Sequence, residues 1–179
     1  MTKATIKKQK RLDSLKNLLN DNPYMNDNEL AKSLEVSVPC IRNYRNELGI
    51  KEVRERIKDT VRALAPEEIV GTITELKLNE GGKAVFMTTS DMVFKKTNIV
   101  RGQYIYSFAE SVAISVINAD AALVGVANIK YKEPVYANEA LTAIAKVTQT
   151  RMNNYFVWVF VYRNEKEIFR SKFIMVSIK

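Results

Sequence analysis

The 179-residue chain contains no histidine and a single cysteine, Cys40. Without His, no Ser-His-Asp or Cys-His catalytic arrangement can be assembled, and the commonest zinc ligand is missing. One Cys rules out an intramolecular disulfide framework. The first residues, "MTKATIKKQKRL", are basic but no apolar run follows them, so no signal peptide is expected. No apolar stretch reaches the length of a membrane span without charge. Internal repeats and low-complexity segments are absent too. Together these absences predict a soluble cytoplasmic protein with no membrane partner, no metal site and no cofactor.

What is present is more informative. Apolar residues make up 46% of the chain, enough for a real core. The formal net charge is +8, and residues 1–65 hold 14 Lys and Arg against nine Asp and Glu. A basic N-terminal third suits an anionic partner such as nucleic acid, although simple solubility would explain the charge equally well.

The apolar period divides the chain in two. Leu12, Leu15, Leu18 and Leu19 fall on one face at helical spacing, with Pro23 beyond the end. "NDNELAKSLEV" opens with Asn26 and has Glu29 three residues later, a capping-box arrangement. "SVPCIRNYRNELG" has Ser37 as its cap, Pro39 in its first turn and Gly49 at its close. A fourth helix is expected over 50–64, with apolar residues at Ile50, Val53, Ile57, Val61 and Leu64. Past Pro66, segments such as "KAVFMTT", "YFVWVFVYRN" and "KEIFRSKFIMVSIK" are rich in β-branched and aromatic residues and bounded by turn clusters. The expected class is α+β. A helix-turn-helix domain spans 1–49, an amphipathic linker helix 50–66, and an antiparallel sheet with one long helix 67–179.

A short helix, a tight "EVS" turn and a second helix make helix-turn-helix geometry. At 100° per residue, Val38, Ile41, Tyr44 and Leu48 fall toward one side. Pro39, Arg42, Asn43 and Asn46 fall toward the other, with Arg45 on the flank. Arg bonds guanine edges or phosphates, and Asn bonds adenine, so the exposed set fits a DNA-reading helix. An ordinary amphipathic helix with a wet polar face is the plainer alternative. "NDNELAKSLEVSVPCIRNYRNELGIKEVRERIK" resembles the N-terminal domain of the FapR repressors of bacterial fatty-acid and phospholipid synthesis, and more loosely DeoR-type regulators. Glu29, Leu30, Ala31, Leu34, Val36, Ser37, Ile41, Arg42 and Leu48 carry the likeness. Cys40 stands where that family usually has Thr, and Tyr44 where it usually has Asp. Cys40 reads as a small packable residue rather than a nucleophile, since no base accompanies it. The resemblance implies operator DNA as partner, with Ser37, Cys40, Arg42, Asn43 and Arg45 at the DNA. Arg54 and Arg56 in the linker would reach phosphates or a minor groove, or else be solvated or pair with Glu52 and Glu55.

"IVRGQYIYSFAESVAISVIN", Ile99 to Asn118, is apolar nearly all round. Such a helix must be enclosed. One buried helix wrapped by five or more curled antiparallel strands is the hot-dog fold, whose subunits usually pair as a homodimer. The FapR resemblance continues through "DMVFKKTNIVRG" and "AALVGVANIKY". It implies that Arg101 binds the free carboxylate of malonyl-CoA or a malonyl carrier protein, with Gly102, Phe94 and Leu123 around the ligand. Guanidinium chemistry suits bidentate carboxylate recognition. A helix-start Arg bonding backbone carbonyls, a turn glycine and two core residues are the alternatives.

Glu110 departs from the resemblance, which has Asn there. Hot-dog thioesterases commonly carry an acid near this place, so an acyl-CoA thioesterase using Glu110 is the second functional reading. A DNA-binding protein whose sheet domain only dimerises is the third. Within one ideal helix Glu110 lies ~13 Å from Arg101 along the axis and on the opposite side. It would pair with Arg101 in an empty pocket, be protonated by burial, or bond the amide arm of a thioester. The reading taken is a repressor, not an enzyme, released from DNA by a malonyl thioester.

Overall fold

The computed structural model describes residues 3–178, and the chain forms two compact units, 1–57 and 58–179. In the first unit, Leu12, Leu15 and Leu19 line the inner face of α1 (Lys3–Asp21). They pack with Leu30, Ala31, Ile41 and Tyr44 from the next two helices. The capping box at the start of α2 (Asp27–Ser33) is complete. Asn26 Oδ1 accepts the Asn28 and Glu29 N–H groups, both at 3.0 Å, and Glu29 Oε2 accepts the Asn26 N–H at 2.8 Å. Such a cap stabilises a short helix by ~1 kcal/mol.

The turn after α2 is a left-handed stop without glycine. Glu35 has φ 51°, and the Val36 N–H reaches back to the Ala31 carbonyl at 3.0 Å. Helix α3 (Val38–Glu47) begins at Ser37, whose backbone is extended but whose hydroxyl makes no capping bond. It ends the same way as α2, this time with Gly49 at φ 64° and the Ile50 N–H on the Arg45 carbonyl at 2.8 Å.

That second stop corrects the expected linker helix. Ile50 belongs to the closing turn of α3 and packs on the helical core, so it cannot start a new helix. Helix α4 is only Val53–Thr60, opened by the Glu52 carbonyl accepting the Glu55 and Arg56 N–H groups at 3.1 and 3.0 Å. The boundary between the two units falls inside it.

The second unit is one six-stranded antiparallel sheet. Its strands are β1 (Thr72–Lys77), β2 (Gly81–Met87), β3 (Ala121–Tyr131), β4 (Ala140–Arg151), β5 (Asn154–Arg163) and β6 (Lys166–Ile178). The spatial order is β1-β2-β4-β5-β6-β3. The chain leaves β2, crosses through α5 (Gly102–Ser115) and returns on the far edge as β3. Alternation along β5 buries Val157, Val159 and Val161 completely on the helix side. Small residues let the helix approach, and Ala109 and Ala113 are fully buried. Phe108 stacks on Phe86 at 5.1 Å. Gly71, at φ 82°, keeps clear a space where a Cβ would meet the Val85 carbonyl oxygen at 2.6 Å. The polar groups of α5 are satisfied internally: Ser111 Oγ accepts the Val70 N–H at 2.9 Å, and Ser115 Oγ donates to the Ser111 carbonyl at 2.7 Å. Among the described residues no helix is long and apolar enough to cross a membrane.

Glu35 generates a stability prediction. A side chain in the left-handed region costs about 1 kcal/mol that glycine avoids. Glu35→Gly should therefore stabilise the helical unit in urea denaturation by only about 0.5 kcal/mol, because the entropy of glycine offsets part of the gain. A lowered midpoint would mean that the Glu35 side chain is itself stabilising.

Candidate functional site

Two regions collect the functional side chains. On α3, Arg42 and Asn43 are exposed, as is Ser37 just before it. The Arg42 side chain is 66% exposed and lies 3.7 Å from Asp27 Oδ2. Cys40 is half-buried against the helical core, as its reading as a packing residue requires, so it does not stand on the exposed face. The Tyr44 hydroxyl is pushed up, first by its hydrogen bond with Cys40 and then by burial.

Arg45 overturns its expected place at the DNA. Its side chain is only 4% exposed. Nε and Nη2 grip both oxygens of Asp27 at 2.8 and 2.9 Å, and Nη1 reaches the Ile50 carbonyl at 3.3 Å. This fork fixes the start of α2 against the end of α3. It is a scaffold contact, and the flank position on a helical wheel turns out to be an inner one. Arg56 also departs from a simple DNA-facing role. It is half-buried, and its Nη2 donates to the Met25 carbonyl at 2.8 Å. Desolvation and the neighbouring Arg45 charge lower its pKa, partly opposed by Asp27. Arg54 is exposed.

The second region lies at the entrance of α5. Residues 92–101 form a narrow hairpin in which Val93 pairs with Val100, and the Arg101 N–H bonds the Met92 carbonyl at 2.9 Å. The hairpin places Phe94, 53% exposed, beside the segment that carries Arg101. Arg101 is the N-cap residue of α5. Its Nε donates to the Met92 carbonyl at 3.2 Å, and its Nη2 contacts the Asp91 carbonyl at 2.8 Å and the Tyr104 hydroxyl at 2.7 Å. The guanidinium carbon also lies 4.9 Å from the Tyr104 ring centroid. The backbone-bonding alternative for Arg101 is thus realised, and it leaves a fixed, half-buried cation whose hydrogen-bond partners are neutral oxygens. The nearby Asp91 carboxyl is lowered mainly by the Thr89 hydroxyl, and only weakly by Arg101.

Gly102 has a different reason to be glycine from the one expected. A Cβ there would lie 2.9 Å from the Tyr131 hydroxyl, which donates to the Gly102 carbonyl at 2.9 Å. The space is already taken by Tyr131. An open cleft of about 370 Å³ adjoins this contact, lined by Ile99, Gly102, Ile105, Tyr131, Pro134 and Val135 among others.

Glu110 is not brought to Arg101 within the protomer. It shares one helix face with Gly102 and Tyr106, at intervals of four residues, and the Tyr106 hydroxyl lies 3.5 Å from its Oε1. Burial raises its pKa, and the Tyr106 hydrogen bond only partly offsets this. Glu110 is thus half-buried on its own helix, and no hydrogen bond or ion pair joins it to Arg101 among the described residues. Leu123 lies on the edge strand β3 and is 60% exposed. Sequence reasoning missed Asp27, Tyr104 and Tyr131. Tyr104 alone carried a local signal, three residues beyond Arg101 at the start of a helix. Among the described residues no group of His, Cys, Asp and Glu is arranged to hold a metal ion.

Similarity to known proteins adds an independent line. No protein-family model matches the chain. The chain is 52% identical to a protein named Transcription factor FapR from Thermoanaerobacter sp. (strain X514), covering 97% of this chain and 90% of the relative. It is 36% identical to the FapR of Geobacillus sp. (strain WCH70), covering 92% and 91% respectively. Among solved structures, a sigma28-regulated virulence protein of Campylobacter jejuni superposes with a TM-score of 0.64 at 22% identity, over 70% of this chain and 90% of that one. A hypothetical thioesterase of Streptococcus pneumoniae, solved with coenzyme A, gives 0.53 at 13% identity over 59% and 84%. These structural likenesses bear on the fold and identify the sheet unit as a hot-dog domain.

Two predictions arise from the geometry. Arg45→Ala leaves Asp27 without its buried partner and should destabilise the helical unit by about 3 kcal/mol; a loss below about 0.5 kcal/mol in chemical denaturation would return Arg45 to the surface. For Glu110, a raised folded-state pKa means the folded chain binds the proton more tightly than the unfolded chain. Stability then falls as pH rises from the ordinary carboxylate range through the raised value, and stays lower above it. Glu110→Gln should melt higher than wild type at pH ~7 and match it near pH ~4. A gap independent of pH would remove titration as its cause.

Proposed function

The chain belongs to the FapR family of transcription factors, and on that premise we propose that it represses fatty-acid and phospholipid biosynthesis genes and is released from operator DNA by a malonyl thioester. As a member of a transcription-factor family it is a regulator rather than an enzyme, so the thioesterase reading of Glu110 falls away. The finer statements rest on the two sites.

DNA reading is assigned to the exposed face of α3, with Arg42 and Asn43 toward base edges and the Ser37 hydroxyl toward a phosphate. Arg54, exposed on α4, is the linker cation assigned to the DNA backbone. A homodimer is supported by edge strand β3, which exposes Leu123, Val126, Ile129 and Tyr131 with one side of the strand unpaired. An apolar, unpaired edge is a template for a second chain. Two paired chains would present two recognition helices to a two-fold operator.

The observation that carries the effector assignment is Arg101. Holding a guanidinium in a fixed orientation through neutral oxygens leaves its charge for an incoming carboxylate, and the exposed Phe94 belongs to the same hairpin. A malonyl group offers a terminal carboxylate on a short stem, and coenzyme A or a carrier protein would supply the arm. The coenzyme A in the similarly folded Streptococcus pneumoniae protein supports this class of ligand. Release requires the effector to bind more tightly to a state that does not hold operator. No cofactor or metal is needed for this cycle.

A gel-shift at controlled salt tests both sites together. Arg101→Ala should bind operator like wild type but stay bound when malonyl-CoA is added. Arg42→Ala should weaken operator binding by ~1–3 kcal/mol while keeping its response to the effector. Release of the Arg101→Ala complex at the wild-type malonyl-CoA concentration would refute the carboxylate anchor, and unchanged affinity in Arg42→Ala would take that residue out of the interface.

A further inference from the structure

The face of the sheet turned away from α5 is built unlike an ordinary wet surface. Because Val157, Val159 and Val161 point inward, Phe156, Trp158 and Phe160 stand on the outer side of β5. Strand register sets what flanks them. Trp158 lies opposite Lys146 on β4 and Lys172 on β6. Phe160 lies opposite Ile144 and Arg170, with Lys83 beyond the first and Lys130 beyond the second. From β2 to β3 neither row contains a carboxylate, and the one Glu of the second row, Glu75, is on β1 and paired with Lys83. An aromatic strip therefore runs along β5 with Lys146, and Lys83 beyond Ile144, on one flank and Lys172, Arg170 and Lys130 on the other, where Arg170 also lies 4.0 Å from Glu167.

We propose that this outer sheet face is a docking surface for an acidic amphipathic α-helix of a partner protein. The dimensions fit. Lys146 and Lys172 are two strand spacings apart, about 10 Å. A helix with its side chains is about 10–12 Å across. Laid along β5, it would set an apolar stripe on Trp158, Phe160 and Ile144, the last 42% exposed, and its flanking carboxylates on Lys146 and on Lys172 with Arg170. A depression of about 260 Å³ lined by Lys130, Trp158, Arg170 and Lys172 gives a large side chain a place to seat.

Charge excludes one of the nearest alternatives and ring geometry the other. A second copy of the same face would bring cation against cation. Single-stranded nucleic acid needs open ring faces for its bases to stack on. Here the Trp158 and Phe160 rings face each other, 5.8 Å apart and 7° from parallel, and the Lys172 ammonium covers Trp158 at 5.9 Å. Those rings offer edges and methylene-flanked strips, which suit apolar side chains.

Trp158 is the only tryptophan in the chain, so its emission reports on this face directly. The experiment titrates the full-length protein with a synthetic helical peptide carrying leucines in one stripe and glutamates on both flanks. Its controls are a scrambled isomer of the same composition and an oligothymidylate. The designed helix should change Trp158 emission saturably and bind at least about tenfold more tightly than the scrambled peptide, with affinity falling as salt rises. The double variant Lys146→Glu, Lys172→Glu should lose that preference while retaining operator binding, which certifies its folding. The single variant Ile144→Ser should weaken binding without changing the salt dependence. Equal binding of the scrambled peptide, tighter binding of the oligonucleotide, or no change in emission with any probe would overturn the proposal.

Discussion

A helix without a polar face has to be enclosed, and the second unit is organised around that requirement. Helix α5 can be surrounded only by a sheet long enough to curl past it, and only if its residues are small where strands approach. Ala109 and Ala113 meet that condition, and Ser111 and Ser115 meet it while bonding their own neighbourhood. Everything of functional interest is then placed by how the helix enters and leaves. Its first turn is closed by the Arg101 hairpin, and its exposed flank looks along Gly102, Tyr106 and Glu110 toward edge strand β3. Enclosure by one protomer is incomplete at that edge, where β3 leaves Leu123, Val126 and Ile129 exposed.

The helical unit depends on a smaller constraint, the grip of Arg45 on Asp27. Two short helices bury little area, so their mutual angle is set by specific contacts. One buried fork ties the first turn of α2 to the last turn of α3, and Arg56 extends the tie from α4 to the loop before α2. The exposed arginine, Arg42, is thereby held on the outside by a framework of inner arginines. The same residue type thus serves opposite purposes at positions 42 and 45.

That division shows what could be seen in the sequence. The Asn26–Glu29 box, the stop at Gly49, strands such as β2, β5 and β6, and the long enclosed helix are legible because each is signalled by residues within a few positions. Arg45 was misread because its partner is 18 residues away, and a helical wheel places a flank without saying what lies against it. The linker helix was drawn too long because Ile50 fits the apolar period of α4 and also the closing turn of α3; the 2.8 Å bond to the Arg45 carbonyl decides the contest. The neighbour that fills the space over Gly102, Tyr131, comes from a strand 29 residues on and carries no local signal. The half-burial of Glu110 beside Tyr106 follows from a helix face that one sequence shows only as a lone acid among apolar residues.

Family membership makes the chain a transcription regulator, and the function proposed gives it two separate sites, one on α3 and one at the start of α5. Its central claim is that they are coupled, and coupling is reciprocal: if malonyl-CoA weakens operator binding by some factor, operator must weaken malonyl-CoA binding by the same factor. The most direct measurement is therefore the dissociation constant of malonyl-CoA for the full-length protein, alone and saturated with operator, at one fixed salt concentration. The account predicts weaker malonyl-CoA binding in the presence of operator, by the factor found in the converse titration. Identical binding with and without operator would contradict it.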